Sequence, residues 1–112
     1  MLKRLLILST PLLLAACVTD RDADTASGNA AEGRAFAEAN CASCHGLDDN
    51  ASPNPNAPSL WQAAHSLPEW MVEGSLERGV QIGHTTEMPV FVFEDEEVAD
   101  LLAYFEALRQ QN

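Results

Sequence analysis

The sequence predicts an all-α fold, on three observations. From Asp95 onward, Val98, Leu101, Leu102, Phe105 and Leu108 recur at spacings of three and four, the period of one helix face. A second helix is signalled ahead of Cys41, where Asn29 stands as N-cap and Glu32, three residues later, completes a capping-box pattern. The only strand-like run, Val90 to Phe93, has four residues, too few to make a sheet.

The 112 residues leave room for one small domain, and the first part of the chain reads as an export signal. Met1 to Ala16 has a basic start (Lys3, Arg4), an apolar run from Leu5 to Leu14, and then the small residues Ala15 and Ala16. That run falls short of the roughly 20 residues that span a bilayer. Leu14-Ala15-Ala16-Cys17 resembles the lipobox of bacterial lipoproteins, which makes Cys17 the lipid-carrying mature N-terminus. The rival readings are an uncleaved anchor and ordinary A-x-A cleavage, which Leu14 fits poorly. Residues 17–29 then form the lipidated cysteine and an acidic tether without large apolar side chains, spanning roughly 20 Å. Residues 30–112 form the folded domain, with no internal repeat.

Within that domain the first helix runs from Asn29 toward Asn40 and delivers Cys41 at its end. Leu47 to Ala57 is rich in turn formers, with Pro53 and Pro55 excluding regular structure, and reads as a surface loop. Short helices are expected over Ser59 to His65, and from Pro68 at a first helical position to about Arg78, with Gly79 ending the second. Asp95 is the expected cap of the final helix, and Glu96 and Glu97 suit its dipole. Its apolar stripe is read as core packing rather than as a cofactor box.

Charge narrows the partners. Cleavage before Cys17 removes Lys3 and Arg4, the six basic residues fall to four while all 17 acidic residues stay, and the net charge passes from −11 to −13. No lysine is left. Such a surface argues against nucleic acid and against adsorption to anionic lipid, and favours a basic docking partner, although excess carboxylate also serves solubility alone. Of the three cysteines, acylation would use Cys17; Cys41 and Cys44 remain as a pair.

Cys41-Ala42-Ser43-Cys44-His45 fits C-x-x-C-H, the attachment signature of a c-type haem. Two intervening residues let both sulfurs reach the two vinyl groups of one porphyrin as thioethers, and the next residue puts an imidazole under the iron. A thioredoxin-like redox pair would need a βαβ context, which is missing. A zinc site would need closely spaced second ligands, and His65 and His84 lie far downstream and 19 residues apart. One haem c, covalent through Cys41 and Cys44, also gives a disulfide-free domain of this size an apolar plate to pack around. Leu60, Met71, Val80, Ile82, Val90 and Phe91 are expected to line it.

With these residues in view, the domain from Ala30 to about Leu108 resembles class I cytochrome c, which implies the small all-α fold in which the N- and C-terminal helices cross. The resemblance implies that Gly33, eight residues before Cys41, packs closely on the last helix opposite Leu101 and Tyr104. The family's aromatic four residues before that cysteine is Ala37 here, with Phe36 one place earlier. Ala57-Pro58-Ser59-Leu60 is similar to the segment whose proline carbonyl orients the proximal histidine and whose leucine touches the haem. Met88-Pro89-Val90-Phe91 resembles the family's M-P-x-F segment, which makes Met88 the sixth ligand opposite His45, with His84 as its rival. Of Trp61 and Trp70, the resemblance favours Trp70 as the indole directed at a haem propionate, and core packing is the plain alternative.

The expected function is a periplasmic one-electron carrier with His/Met ligation, monomeric, meeting redox protein partners and making no chemistry of its own. The lipid anchor ties it to a membrane, and Val18, where some inner-membrane lipoproteins carry aspartate, favours the outer one. Two alternatives remain: a haem sensor or peroxidase-like enzyme with a labile Met88, and an electron-transfer subunit of a dehydrogenase or reductase complex.

Overall fold

The computed structural model describes residues 28–80 and 87–112. The signal segment, Cys17, most of the tether, Ile82 and His84 lie outside them. The described residues form four helices: α1 (Ala30–Asn40), α2 (Leu60–Ser66), α3 (Glu69–Glu77) and α4 (Asp95–Arg109). Among the described residues there is no strand, and no helix is long and apolar enough to cross a membrane. The expected all-α class holds.

The core forms where α4 crosses α1 and then lies against α2 and α3. Gly33 makes the crossing possible: a Cβ there would collide with the Asp100 carbonyl and lie 2.9 Å from the Leu101 nitrogen. The expected partner Leu101 is therefore at the crossing, and Tyr104, one turn further on, bonds the loop at Asp48. Leu108 and Ala37 are fully buried, so the alanine in place of the family's aromatic sits in the core itself. Phe36 is displaced outward and packs on Phe93, ring centres 5.7 Å apart. Each large apolar side chain buried this way contributes about 1.5–3 kcal/mol before entropy is charged against it.

Helix ends follow local chemistry with three adjustments. Asn29 caps α1, its side chain accepting from Ala31 and Glu32 N–H. The expected return bond from Glu32 does not form; the Asn29 N–H donates instead to Asp100 Oδ1 at 2.6 Å, because the close approach at Gly33 brings α4 within reach. Pro68 sits one place before α3 rather than in its first turn, and its carbonyl accepts from Met71 and Val72. Likewise α4 is capped by Glu94, not Asp95, with the Glu94 N–H donating to Glu97 Oε2 at 2.9 Å. Gly79 ends α3 as expected, at φ +79°, a conformation that glycine adopts without steric cost.

Candidate functional site

One apolar cavity of about 330 Å³ opens against the end of α1, and its first wall is the C-x-x-C-H turn. Cys41 caps α1, its N–H on the Ala37 carbonyl at 2.8 Å; the Cys44 and His45 N–H groups then both donate to the Cys41 carbonyl, at 3.2 and 2.9 Å. This extra turn brings Cys41, Cys44 and His45 together on the cavity wall. Burial pushes the Cys41 thiol up, away from the thiolate that a redox-active pair requires.

Pro58 lies opposite. Its carbonyl stands 2.7 Å from His45 Nδ1. A carbonyl only accepts, so the proton sits on Nδ1 and the lone pair on Nε2 is left free for a metal. Ser59 caps α2 by accepting from the Gln62 N–H at 3.0 Å, which starts the helix at Leu60 and sets that side chain into the cavity.

The far wall comes from α3 and the segment before α4. Val72, Leu76 and Val80 line it, followed by Met88, Pro89 and Phe91. The Phe91 N–H donates to the Gly79 carbonyl at 3.2 Å, and Phe91 stacks on Phe93 with ring centres 5.7 Å apart. Along this extended run Phe91 and Phe93 face the cavity while Val92 is 93% exposed and Val90 is exposed as well. The alternation is that of a strand without a partner.

The structure thus brings Cys41, Cys44, His45, Pro58, Leu60, Met88 and Phe91 to one cavity. Of the other expected lining residues Val80 is there, while Met71 and Val90 are not. Trp70 also lies outside the cavity, 69% exposed, and Trp61 stacks on His65 with ring centres 3.9 Å apart. The reading of the α4 stripe as core alone needs correction, because Leu101 and Phe105 are buried and also line the cavity. The periodicity located their helix face correctly, and the cavity lies on that same face. Leu67, Val72 and Leu76 were missed as lining residues, for their short helices carry too weak an apolar pattern to assign a face.

Among the described residues no group of three or more His, Cys, Asp or Glu is placed to hold a metal ion, so the zinc reading finds no ligand set there. Nor are the carboxylates paired for acid–base work. Asp48 is held by Arg34 at 3.0 Å, which keeps its carboxyl below the usual range, and Glu94 to Glu97 form the start of α4.

The cytochrome c family model matches residues 30–109, nearly the whole of the domain just described. The chain belongs to the cytochrome c family. It is 36% identical over 81 residues to a cytochrome c-553-like protein of Synechocystis sp., covering 72% of this chain and 70% of that protein. No solved structure matches. As a cytochrome c the protein is a haem-based electron carrier, and the cavity fits the cofactor that the family implies. Two thiols one helical turn apart, an imidazole with its Nε2 free and a thioether share apolar walls, the donor set and surroundings that a covalent porphyrin requires.

Proposed function

We propose that this cytochrome c is a lipid-anchored periplasmic carrier of single electrons, holding one haem c through Cys41 and Cys44 with His45 and Met88 as axial ligands. The reading is carried by one observation: both thiols, the imidazole and the thioether line the same apolar cavity. The haem supplies a metal that changes oxidation state while making and breaking no bond. The protein does the rest. Pro58 holds the His45 ring in one orientation and one tautomer. Leu60, Leu76 and Phe91 keep water from the cofactor, and the soft sulfur of Met88 favours the ferrous form.

The test is the sixth ligand. Met88→Ala should raise the spin state and open the iron to carbon monoxide or peroxide. Met88→His should stay low-spin and lower the potential, and His84→Ala should do neither. A large shift of potential in His84→Ala with none in Met88→Ala would make the ligand histidine. Should neither variant matter, the sensor or enzyme reading takes over.

The anchor and the charge complete the proposal. Cys17→Ser should release the protein from the membrane fraction with its haem spectrum intact, and a variant that stays bound sinks the lipobox reading. The charge of −13 beyond the signal suits partners with a basic docking surface, and the association rate should fall as salt rises. A rate indifferent to salt returns the charge to a solubility role.

A further inference from the structure

Asp48, three residues after His45, is a non-glycine residue at φ +52°, a left-handed conformation that costs energy unless its surroundings impose it. Every polar group of this residue is engaged. Its N–H donates to the Tyr104 hydroxyl at 3.2 Å, and the hydroxyl donates back to Oδ1 at 2.9 Å. Oδ2 accepts from Arg34 Nη2 at 3.0 Å, and its carbonyl accepts from the Trp61 N–H at 3.1 Å. One residue thereby joins α1, α4 and the first turn of α2.

The Trp61 bond matters because of its neighbours. The Leu60 N–H donates to the Gly46 carbonyl at 2.8 Å, so His45–Asp48 and Pro58–Trp61 run alongside each other with three ties: His45 Nδ1 to Pro58, Leu60 to Gly46 and Trp61 to Asp48. Two backbone ties set where the Pro58 carbonyl meets the imidazole. The second of them depends on the direction of the Asp48 carbonyl, and that direction depends on the left-handed turn which Tyr104 and Arg34 hold in place. Tyr104 is 3% exposed and its proton is retained up to about 12, so its donor is present throughout the working range.

We propose that Asp48, clamped by Tyr104 and Arg34, is the positioning residue of the proximal imidazole, fixing the His45–Pro58 hydrogen bond and through it the iron's preference between ferrous and ferric. This rests on the reading of His45 as the axial ligand. A firm acceptor on Nδ1–H makes the imidazole a better electron donor and favours the ferric form. Loosening the clamp weakens that donation and favours the ferrous form.

The experiment uses the full-length, haem-loaded chain. Asp48→Ala and Tyr104→Phe should each shift the ferrous-to-ferric ratio at fixed poise toward ferrous by about threefold to tenfold, tenfold being about 59 mV for one electron. The His45 Nδ1 proton, followed by NMR, should exchange with deuterium about tenfold faster, as a loosened closed state requires. Asp48→Asn, which tolerates the left-handed turn and keeps an acceptor for Tyr104, should fall between these variants and the parent. Asn29→Ala removes the cap of α1 and should leave potential and exchange unmoved, which separates positioning from general loss of stability. If Asp48→Ala does not fold, Tyr104→Phe and Asp48→Asn decide alone. Folded variants with the parent's potential and exchange rate would overturn the proposal. Failure of the reading beneath it looks different: His45→Ala would then keep the parent's low-spin spectrum.

Discussion

On the proximal side of the cavity the chain from His45 to Trp61 is tied by hydrogen bonds one or two residues apart, whereas on the distal side, among the described residues, Met88 to Phe93 is held by ring packing beside the Phe91–Gly79 bond. The proximal ties are of 2.7, 2.8 and 3.1 Å, and Asp48 fastens them to α1 and α4. The distal run has the Phe91–Gly79 bond at 3.2 Å and the succession of rings Phe91, Phe93 and Phe36. Hydrogen bonds are directional and fix one geometry, while apolar contacts tolerate small displacements at little cost. The imidazole is accordingly held by directional bonds, and the thioether sits on the wall lined by packed rings. On the proposed reading, with haem held through Cys41 and Cys44 and Met88 as the sixth ligand, that is the useful division.

The most severe way to break the comparison is to remove the plate on which both walls close. Replacing Cys41 and Cys44 together by Ala should abolish covalent haem and leave a chain without cooperative thermal unfolding, because a core of this size supplies only about 3–5 kcal/mol alone. Circular dichroism on the double variant checks this. Native-like helicity and a sharp transition would show that the proximal ties suffice without the cofactor.

Phe91→Ala is the intermediate test. The ring is half-buried, so its loss should cost about 2 kcal/mol, below the range for full burial of phenylalanine. It should speed carbon monoxide entry to the ferrous protein while His45 Nδ1–H exchange stays at the parent's rate. If proximal exchange accelerates to the same degree, the walls are one cooperative unit and the division drawn above is wrong.

How much of this was legible in the sequence follows from the same physics. Cys41, Cys44 and His45 sit within five residues, and Asn29 acts over three, so local chemistry announced them, whereas Ser59, expected inside its helix, turns out to be the cap. Pro58 and Met88 were reached through resemblance, since neither residue type in a loop carries chemistry by itself. The Asp100 bond to Asn29 and the Tyr104 bond to Asp48 join residues 71 and 56 apart. Only the crossing at Gly33 and the course of the loop bring these pairs together. For that reason the bond between Tyr104 and Asp48 was not legible: the resemblance places Tyr104 opposite Gly33, and Asp48 falls within the stretch from Leu47 to Ala57 that reads as a surface loop.

The smallest expected effect is a pH dependence, and the composition of the chain makes it readable. Tyr104 is the only tyrosine, and beyond Ala16 there is no lysine, so between about pH 10 and 12 few other groups of the domain titrate. Burial, followed by the nearby Asp48 carboxylate, raises the Tyr104 hydroxyl from 10 to about 12. A raised value means that the folded state keeps a proton the unfolded chain has lost. Its contribution to stability is therefore complete below pH 10 and disappears as pH climbs through about 12. Asp48 runs the other way. Its carboxyl is held below 3.8, chiefly by Arg34, so its contribution stands above that pH and vanishes as acid takes the carboxyl through its folded value. Melting temperature measured across both windows should fall at each end. Tyr104→Phe should flatten the alkaline decline, and absorbance near 295 nm should show the phenolate of the parent appearing only as the fold is lost. Asp48→Asn should flatten the acid decline and bring forward the ionisation of Tyr104, because the neighbouring negative charge that opposes it is gone. An alkaline curve identical in parent and Tyr104→Phe would mean that the hydroxyl is open to solvent, and Asp48 would then lose the donor on which its clamp depends.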